Sequence, residues 1–79
     1  MYYVYILKSV TFPAKNYIGY TTNIDHRLMV HNAGESLYTN KYKPWALRMC
    51  LTFQEESKAI AFEKYLKTGS GKAFIKNHF

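Results

Sequence analysis

The segment from Trp45 to Phe53 alternates apolar and polar residues along its whole length. Successive side chains of a strand point to opposite faces, so a period of two predicts a strand with one apolar face. The residues expected on that apolar face are Trp45, Leu47, Met49, Leu51 and Phe53, with Ala46, Arg48, Cys50 and Thr52 on the other. The chain must therefore build a sheet that buries this face against other elements.

The remaining segments supply two more strands and the helices that would cover the sheet. β-branched and aromatic residues favour strands, whereas Pro and Gly interrupt them. The order is β-β-α-β-α within a single domain spanning residues 1–79, which predicts an α/β (α+β) fold with a three-stranded antiparallel sheet flanked by helices. The expected elements are a strand over Tyr2–Leu7, a hairpin loop over Thr11–Asn16, a strand over Tyr17–Tyr20, a helix capped by Thr21, Thr22 or Asn23 and running to about Ala33, a loop over Glu35–Pro44, the Trp45–Phe53 strand, a helix over Glu55–Lys67 and a last helical turn or two over Lys72–Asn77.

The charge balance favours an anionic partner. Eleven basic and five acidic residues give a net charge of +6. Such a surface attracts nucleic acids, although a ribosomal neighbour or an anionic membrane surface would suit it equally. The single cysteine, Cys50, excludes an internal disulfide and a cysteine-rich zinc site, and the apolar start of the chain is too short to span a membrane. We expect a soluble, cytoplasmic protein.

Three charged or titratable residues fall where helical periodicity predicts apolar ones. Each helical residue turns by about 100°, which brings Arg27 and His31 into the apolar arc of the first helix. Glu63 falls into that of the second helix. A charge on an inward face is costly unless it is paired or faces a cleft. Arg27 and Glu63 could be salt-bridge partners of one another, or each could line a polar site.

The first two strands contribute tyrosines that could converge. Tyr5 lies in the first strand, whereas Tyr17 and Gly19 share one face of the second. A glycine within a strand allows a ligand or another backbone to approach closely. Tyrosine transfers protons, although a strand tyrosine can equally be an ordinary core residue.

These residues resemble the motifs of the GIY-YIG endonucleases. Tyr3-Val4-Tyr5 and Tyr17-Ile18-Gly19 are similar to the two half-motifs of that superfamily, with Tyr-Val-Tyr in place of Gly-Ile-Tyr. Arg27 stands ten residues after Tyr17, as the family's arginine does, and His31 and Glu63 match its histidine and metal-binding glutamate. Three further segments resemble small stand-alone members of the family: His31–Gly34, Pro44–Trp45 and Leu66–Gly71. Those members look like the nuclease-like domain of the excinuclease subunit UvrC.

The resemblance implies a metal-dependent endonuclease that hydrolyses phosphodiester bonds in DNA, in repair or recombination. It implies Mg²⁺ or Mn²⁺ held by Glu63, and Arg27 neutralising charge on the phosphoryl oxygens. Either Tyr5 or Tyr17 would activate the attacking water, and His31 would hydrogen-bond to the tyrosine or relay its proton. The rival interpretation is a non-catalytic nucleic-acid-binding module on the same fold.

Four further basic residues are candidates for contact with nucleic acid, with DNA expected before RNA. Lys41, Lys43 and Arg48 could form a DNA-facing surface or an ordinary solvated one. Gly69-Ser70-Gly71-Lys72 resembles the tail of a phosphate-binding loop, but a helix precedes it where that motif has a strand. A helix break with Lys72 near a phosphate fits better. So small a surface also suggests that a second copy or a protein partner supplies specificity.

Overall fold

A computed structural model describes residues 1–34 and 37–79. Within those ranges the chain forms one antiparallel sheet of three strands, in the order β2-β1-β3, with helices on both faces. This confirms the expected fold class. The bounds are β1 Tyr2–Ser9, β2 Asn16–Thr21, α1 Ile24–Ala33, α2 Leu37–Lys41, β3 Trp45–Phe53, α3 Glu56–Leu66 and α4 Gly69–His78.

Most ends of the predicted elements shift by one or two residues, and two segments differ more from the sequence prediction. The segment expected as a loop between Glu35 and Pro44 contains the short helix α2; Glu35 itself lies outside the described residues. The final helix, expected to begin at Lys72, begins at Gly69, because the Thr68 side chain caps it by accepting a hydrogen bond from the Gly71 N–H. The Gly-Ser-Gly tripeptide is therefore the first turn of α4.

The central strand β1 is buried on both faces, from Val4 to Leu7. Val4 and Ile6 pack in a core with Ala59 and Leu66 of α3, on one side of the sheet. Tyr5 and Leu7 form a second cluster with Trp45 on the other side, beneath residues of α1. Side chains alternate across a strand, so β1 supplies both hydrophobic layers.

The alternation expected along β3 is interrupted by a β-bulge, and the prediction of one continuous apolar face is wrong. Ile6 pairs with Met49 but Leu7 pairs with Leu47, so Arg48 is the extra residue. An extra residue reverses the faces of the residues beyond it. Trp45 consequently packs on the Tyr5 side, whereas Met49 belongs to the core on the opposite side.

The predicted ends of α1 are confirmed. The Asn23 side chain accepts a hydrogen bond from the His26 N–H, and Gly34 adopts the left-handed conformation (φ 79°) that ends the helix. Asn32 joins α1 to β3: its Oδ1 accepts from the Trp45 N–H at 2.5 Å and its Nδ2 donates to the Trp45 carbonyl at 3.1 Å.

The face of α3 that packs on the sheet is narrow. Ala59 and Leu66 are fully buried. Tyr65 is 40% exposed, and its ring packs against those of Phe62 and Phe74 at the edge of this face. Gly71 explains how α4 comes so close to α3, since a Cβ there would overlap the carbonyl of Tyr65. Among the described residues, no helix has the length and apolar character needed to cross a bilayer.

Candidate active site

Tyr5 of β1 extends across the neighbouring strand β2. It pairs in register with Gly19, and a Cβ atom at position 19 would overlap the phenol group of Tyr5. The glycine of the second half-motif therefore makes room for the tyrosine of the first. The phenol is buried on the sheet face that α1 covers.

His31 of α1 meets Tyr5 there. The Tyr5 hydroxyl lies 3.0 Å from His31 Nε2, and the histidine is 1% exposed. The Tyr17 ring lies 4.5 Å from the imidazole and 6.3 Å from the Tyr5 ring, measured between centroids. The two half-motif tyrosines and the histidine thus form one cluster, although they come from three elements.

Arg27 lies one turn before His31 and supplies the positive charge of this cluster. Hydrogen bonding and charge interaction with Tyr5, followed by interaction with Tyr17, raise the pKa of the Arg27 guanidinium despite burial. Its Nε is buried and has no hydrogen-bond partner among the described residues. A half-buried guanidinium that pairs with no described carboxylate can still bind an incoming anion.

The surroundings shift the pKa of Tyr5 and of His31 in opposite directions. Burial raises the pKa of Tyr5; Arg27 opposes this, while Tyr17 and Glu63 add to it. Burial, followed by the charge of Arg27, lowers the pKa of His31. Both groups are consequently held neutral at pH 7. A neutral phenol beside a neutral imidazole is a donor–acceptor pair that can pass a proton.

Glu63 stands on α3, whose buried residues pack on the opposite face of the sheet, yet its charge contributes to the raised pKa of Tyr5. Its side chain is 20% exposed and pairs with Lys67 at 3.6 Å. Within the described ranges there is no Arg27–Glu63 ion pair, so the salt-bridge alternative for these two residues is not supported. The carboxylate faces solvent on one side and an exposed lysine on the other.

The donor set at Glu63 suits a metal ion that needs few protein ligands. No group of three or more His, Cys, Asp or Glu side chains with metal-binding geometry occurs in the part of the chain that is described. Mg²⁺ commonly keeps several waters and takes only one or two carboxylates. A lone, partly exposed carboxylate fits that mode, and it does not fit a zinc site with three or four protein ligands.

The predicted basic residues separate into two groups. Arg48 and Lys72 line the same cavity, described below. Lys41 lies at the end of α2, with its ammonium group 5.4 Å from the Tyr42 ring centroid. Lys43 is exposed just before β3.

Sequence reasoning missed the aromatic residues that extend the cluster beyond Tyr17. The Tyr38 ring lies 6.2 Å from those of Tyr17 and Trp45, and the Trp45 indole donates to the Thr39 carbonyl at 2.8 Å. Tyr38 and Thr39 fall in the segment expected as a loop. Neither shows periodicity that would separate it from a solvated residue, and the bulge hid the true face of Trp45.

Comparison with known proteins places the chain in a family. The model of the GIY-YIG catalytic domain matches residues 1–77. The chain therefore belongs to the GIY-YIG family, as the half-motifs suggested.

Its relatives include small proteins of similar length. It is 37% identical over 76 residues to the UPF0213 protein SH2523 of Staphylococcus haemolyticus, covering 95% of this chain and 90% of that one. It is 34% identical over 68 residues to the UPF0213 protein VNG_2274C of Halobacterium salinarum, covering 85% and 86%. The solution structure of the UPF0213 protein BH0048 from Bacillus halodurans superposes with a TM-score of 0.58 at 30% identity, covering 98% of this chain and 84% of that one.

A further relative is a much longer protein. The chain is 38% identical over 68 residues to the structure-specific endonuclease subunit SLX1 of Debaryomyces hansenii, covering 78% of this chain. It spans only 19% of that protein's length. The likeness is therefore to one part of the SLX1 subunit.

Proposed function

We propose that this chain is a metal-dependent endonuclease that hydrolyses phosphodiester bonds in DNA. The observation that carries the proposal is the buried hydrogen bond between the Tyr5 hydroxyl and His31 Nε2, beside a guanidinium that no described carboxylate neutralises. A purely structural core has little reason to bury a cation next to a proton donor and acceptor. These three groups together can supply the proton transfer and the charge stabilisation that hydrolysis of a phosphodiester uses.

Tyr5 is the group that takes the proton of the attacking water. Because burial raises the pKa of Tyr5, its hydroxyl is protonated at neutral pH, and it can accept a proton only by giving up its own. The hydrogen bond directs that proton to His31 Nε2, on an imidazole whose lowered pKa keeps it neutral. As the water oxygen bonds to phosphorus, its proton passes to Tyr5 and that of Tyr5 to His31.

Arg27 binds the scissile phosphate. Its guanidinium remains charged at all relevant pH values, and its Nε is unpartnered among the described residues. Positive charge fixed beside the phosphoryl oxygens stabilises the charge that develops in the transition state. Arg27 also lowers the pKa of His31, so it maintains the proton acceptor in its neutral form.

Glu63 would hold a Mg²⁺ or Mn²⁺ ion through its partly exposed carboxylate. Such an ion, when bound, supplies positive charge to the phosphate and to the 3′-oxygen that leaves. Lys67, whose side chain is about half exposed, can move away from Glu63 as the carboxylate binds the ion. The bond from phosphorus to the leaving oxygen breaks as the bond from the water oxygen forms.

The proposed substrate and cellular role are supported by the net charge of the chain and by its similarity to known proteins. The net charge of +6 supports a nucleic-acid partner. The name of the SLX1 relative, a structure-specific endonuclease subunit, supports cleavage within a nucleic-acid strand and a second protein or second copy that supplies specificity. We propose a role in DNA repair or recombination, in the cytoplasm.

The test is cleavage of single-stranded, double-stranded and branched DNA with Mg²⁺ or Mn²⁺. Glu63→Gln should remove cleavage and leave the thermal melting curve unchanged. Glu55→Gln, which alters an exposed glutamate just before the same helix, should cut like the parent. Full activity of Glu63→Gln would remove Glu63 from the metal role. Binding of DNA by the parent chain without any cleavage would instead support the non-catalytic binding module.

A further inference from the structure

A cavity with four cations lies around the end of the β1–β2 hairpin, apart from the Tyr5–His31 cluster. Its volume is about 450 Å³, within the range of about 300–1,000 Å³ typical of ligand pockets. Its charged lining consists of Lys15, Arg48, Lys72 and Lys76. No acidic side chain is among the residues that line it. We propose that this cavity, which we call the basic cavity, binds the sugar-phosphate backbone of the substrate strand next to the scissile phosphate.

The cations of the basic cavity are available to a ligand. Lys72 and Lys76 are exposed residues one turn apart on α4, and neither forms an ion pair with a described residue. Lys15 lies 5.5 Å from the ring of Tyr42, a contact that leaves its charge unneutralised. The three lysines around one opening repel each other, and a bound anion relieves that repulsion.

Arg48 is held in place, whereas the lysines are free to adjust. It is the extra residue of the β3 bulge, and its guanidinium donates to Asn16 Oδ1 at 3.1 Å and to the Phe79 backbone oxygen at 2.8 Å. A bulge redirects a side chain. These two hydrogen bonds fix the guanidinium, so part of the cost of ordering this side chain is met before a ligand binds.

The floor of the basic cavity is apolar, which suits a sugar more than a free ion. Ile75 is buried and Ile18 is half-buried beneath the charged rim. A sugar-phosphate presents an apolar ring carbon face and an anionic oxygen face to such a surface. Inorganic phosphate would use only the rim.

Tyr38 connects the basic cavity to the candidate active site, which ties this inference to the proposed function. It lines the cavity, its hydroxyl donates to the Asn16 carbonyl at 3.5 Å, and its ring lies 6.2 Å from that of Tyr17. At 44% exposed, the ring can stack on a base. A strand with its scissile phosphate at Arg27 can pass Tyr38 and enter the cavity.

The experiment measures binding of a labelled single-stranded oligonucleotide by fluorescence anisotropy at several salt concentrations, in the Glu63→Gln background so that nothing is cut. The double variant Lys72→Ala with Lys76→Ala should bind more weakly. The slope of log K against log salt should become less steep by about 1.4, because each single-strand phosphate contact contributes about 0.7. Lys72→Arg alone should keep the parent slope.

The matched control removes the same charge elsewhere: Lys58→Ala with Lys64→Ala, two exposed lysines of α3. It should keep the parent slope. Equal changes in both double variants would mean that DNA binding responds only to the net charge of the protein. That result would overturn the proposal.

Competition identifies the ligand. Inorganic phosphate or an oligoglutamate, at the same total charge as the oligonucleotide, should displace the probe poorly. Efficient displacement by phosphate would mean that the basic cavity takes a free anion, and displacement by oligoglutamate would indicate an acidic protein segment; either result overturns the proposal. These binding measurements need no cleavage, so failure of the nuclease proposal would not mask them. Cleavage combined with an unchanged slope would refute the cavity alone.

Discussion

At the scale of single residues, Tyr5 and Tyr17 of the candidate site differ in how they contact His31. Both rings adjoin His31, but the Tyr5 hydroxyl makes the hydrogen bond to Nε2. When Nε2 accepts that bond, the imidazole proton is on Nδ1, a buried atom without a partner among the described residues. This arrangement places the Tyr5 proton in line with Nε2, as the proposed transfer requires when the phenol takes up the proton of the attacking water.

Removing the two hydroxyls separately should distinguish the two tyrosines. Tyr5→Phe should lower the single-turnover cleavage rate by about 10²-fold or more, the contribution typical of a positioned acid or base. Tyr17→Phe keeps the ring against His31 and should lose less. Tyr20→Phe is the control, since Tyr20 donates to Glu56 on the opposite face and that bond raises the pKa of its hydroxyl to about 12. A larger loss in Tyr17→Phe than in Tyr5→Phe would assign the proton acceptor to Tyr17.

His31 should make the free energy of unfolding depend on pH. Its pKa in the folded protein lies below the ordinary value of 6.5, chiefly because it is buried. The unfolded chain therefore binds a proton at a higher pH than the folded chain does. Stability from the neutral imidazole is complete above pH 6.5 and is lost as the pH falls below it.

Urea unfolding followed at several pH values measures this effect. The decline below pH 6.5 should be smaller in His31→Gln, whose side chain does not titrate. His26→Gln changes an exposed histidine of the same helix and should retain the decline. An identical pH profile in His31→Gln and the parent would show that His31 is not the group responsible.

Residue-scale reasoning from sequence found part of this site. Arg27 and His31 could be recognised because each breaks the apolar arc of α1, a conflict visible in spacing alone. The same rule flagged Glu63, but its relation to Tyr5 could not be derived, because α3 and α1 lie on opposite faces and only the folded sheet relates them.

At the scale of elements, the close approach of β1 and β2 at Gly19 positions Tyr5. Gly19→Ala should push the Tyr5 ring from its place over β2, since the added methyl overlaps the phenol. We expect a loss of stability of about 1–3 kcal/mol, as for other overpacked sites, together with a fall in cleavage rate.

Gly69→Ala provides the comparison, because a Cβ there meets nothing within 4 Å. Urea unfolding and cleavage should be close to those of the parent. If Gly19→Ala kept both parent stability and parent activity, the ring of Tyr5 would not need the space that Gly19 leaves.

The errors of sequence reasoning at this scale have one cause each. Strict alternation in Trp45–Phe53 gave the right bounds for β3 and the wrong faces, since one extra residue at Arg48 leaves composition unchanged but reverses every side chain beyond it. The helix α2 was missed because it is short and lies in a polar segment. The hydrogen bonds of Asn32 to Trp45 could not be predicted, because they depend on tertiary contact between α1 and β3.

At the scale of the whole molecule, the order of elements was sufficient to predict the architecture. Two strands joined by a hairpin must be antiparallel, and a third strand with one apolar face needs a helical layer. The sheet order β2-β1-β3 did not follow from the sequence, because nothing in it states which strand is central. The burial of Val4–Leu7 on both faces identifies β1 as the central strand once the structure is known.

Removing the metal should affect activity but leave the fold intact. The proposed ion has one protein ligand, Glu63, which already pairs with Lys67 in its absence. Adding a chelator should abolish cleavage and leave the melting temperature unchanged, and excess Mn²⁺ should restore cleavage. A large fall in melting temperature with chelator would indicate a structural metal held by more ligands than Glu63.

The position of Tyr5 on the middle strand also governs how the protein would lose its activity on heating. The amides of β1 are bonded between two neighbours, so hydrogen exchange there requires separation of the sheet on both sides. Fraying of α4 or of the chain ends leaves the tyrosine where it is. Thermal inactivation should therefore coincide with cooperative melting, and no partly unfolded, inactive form should accumulate at lower temperature.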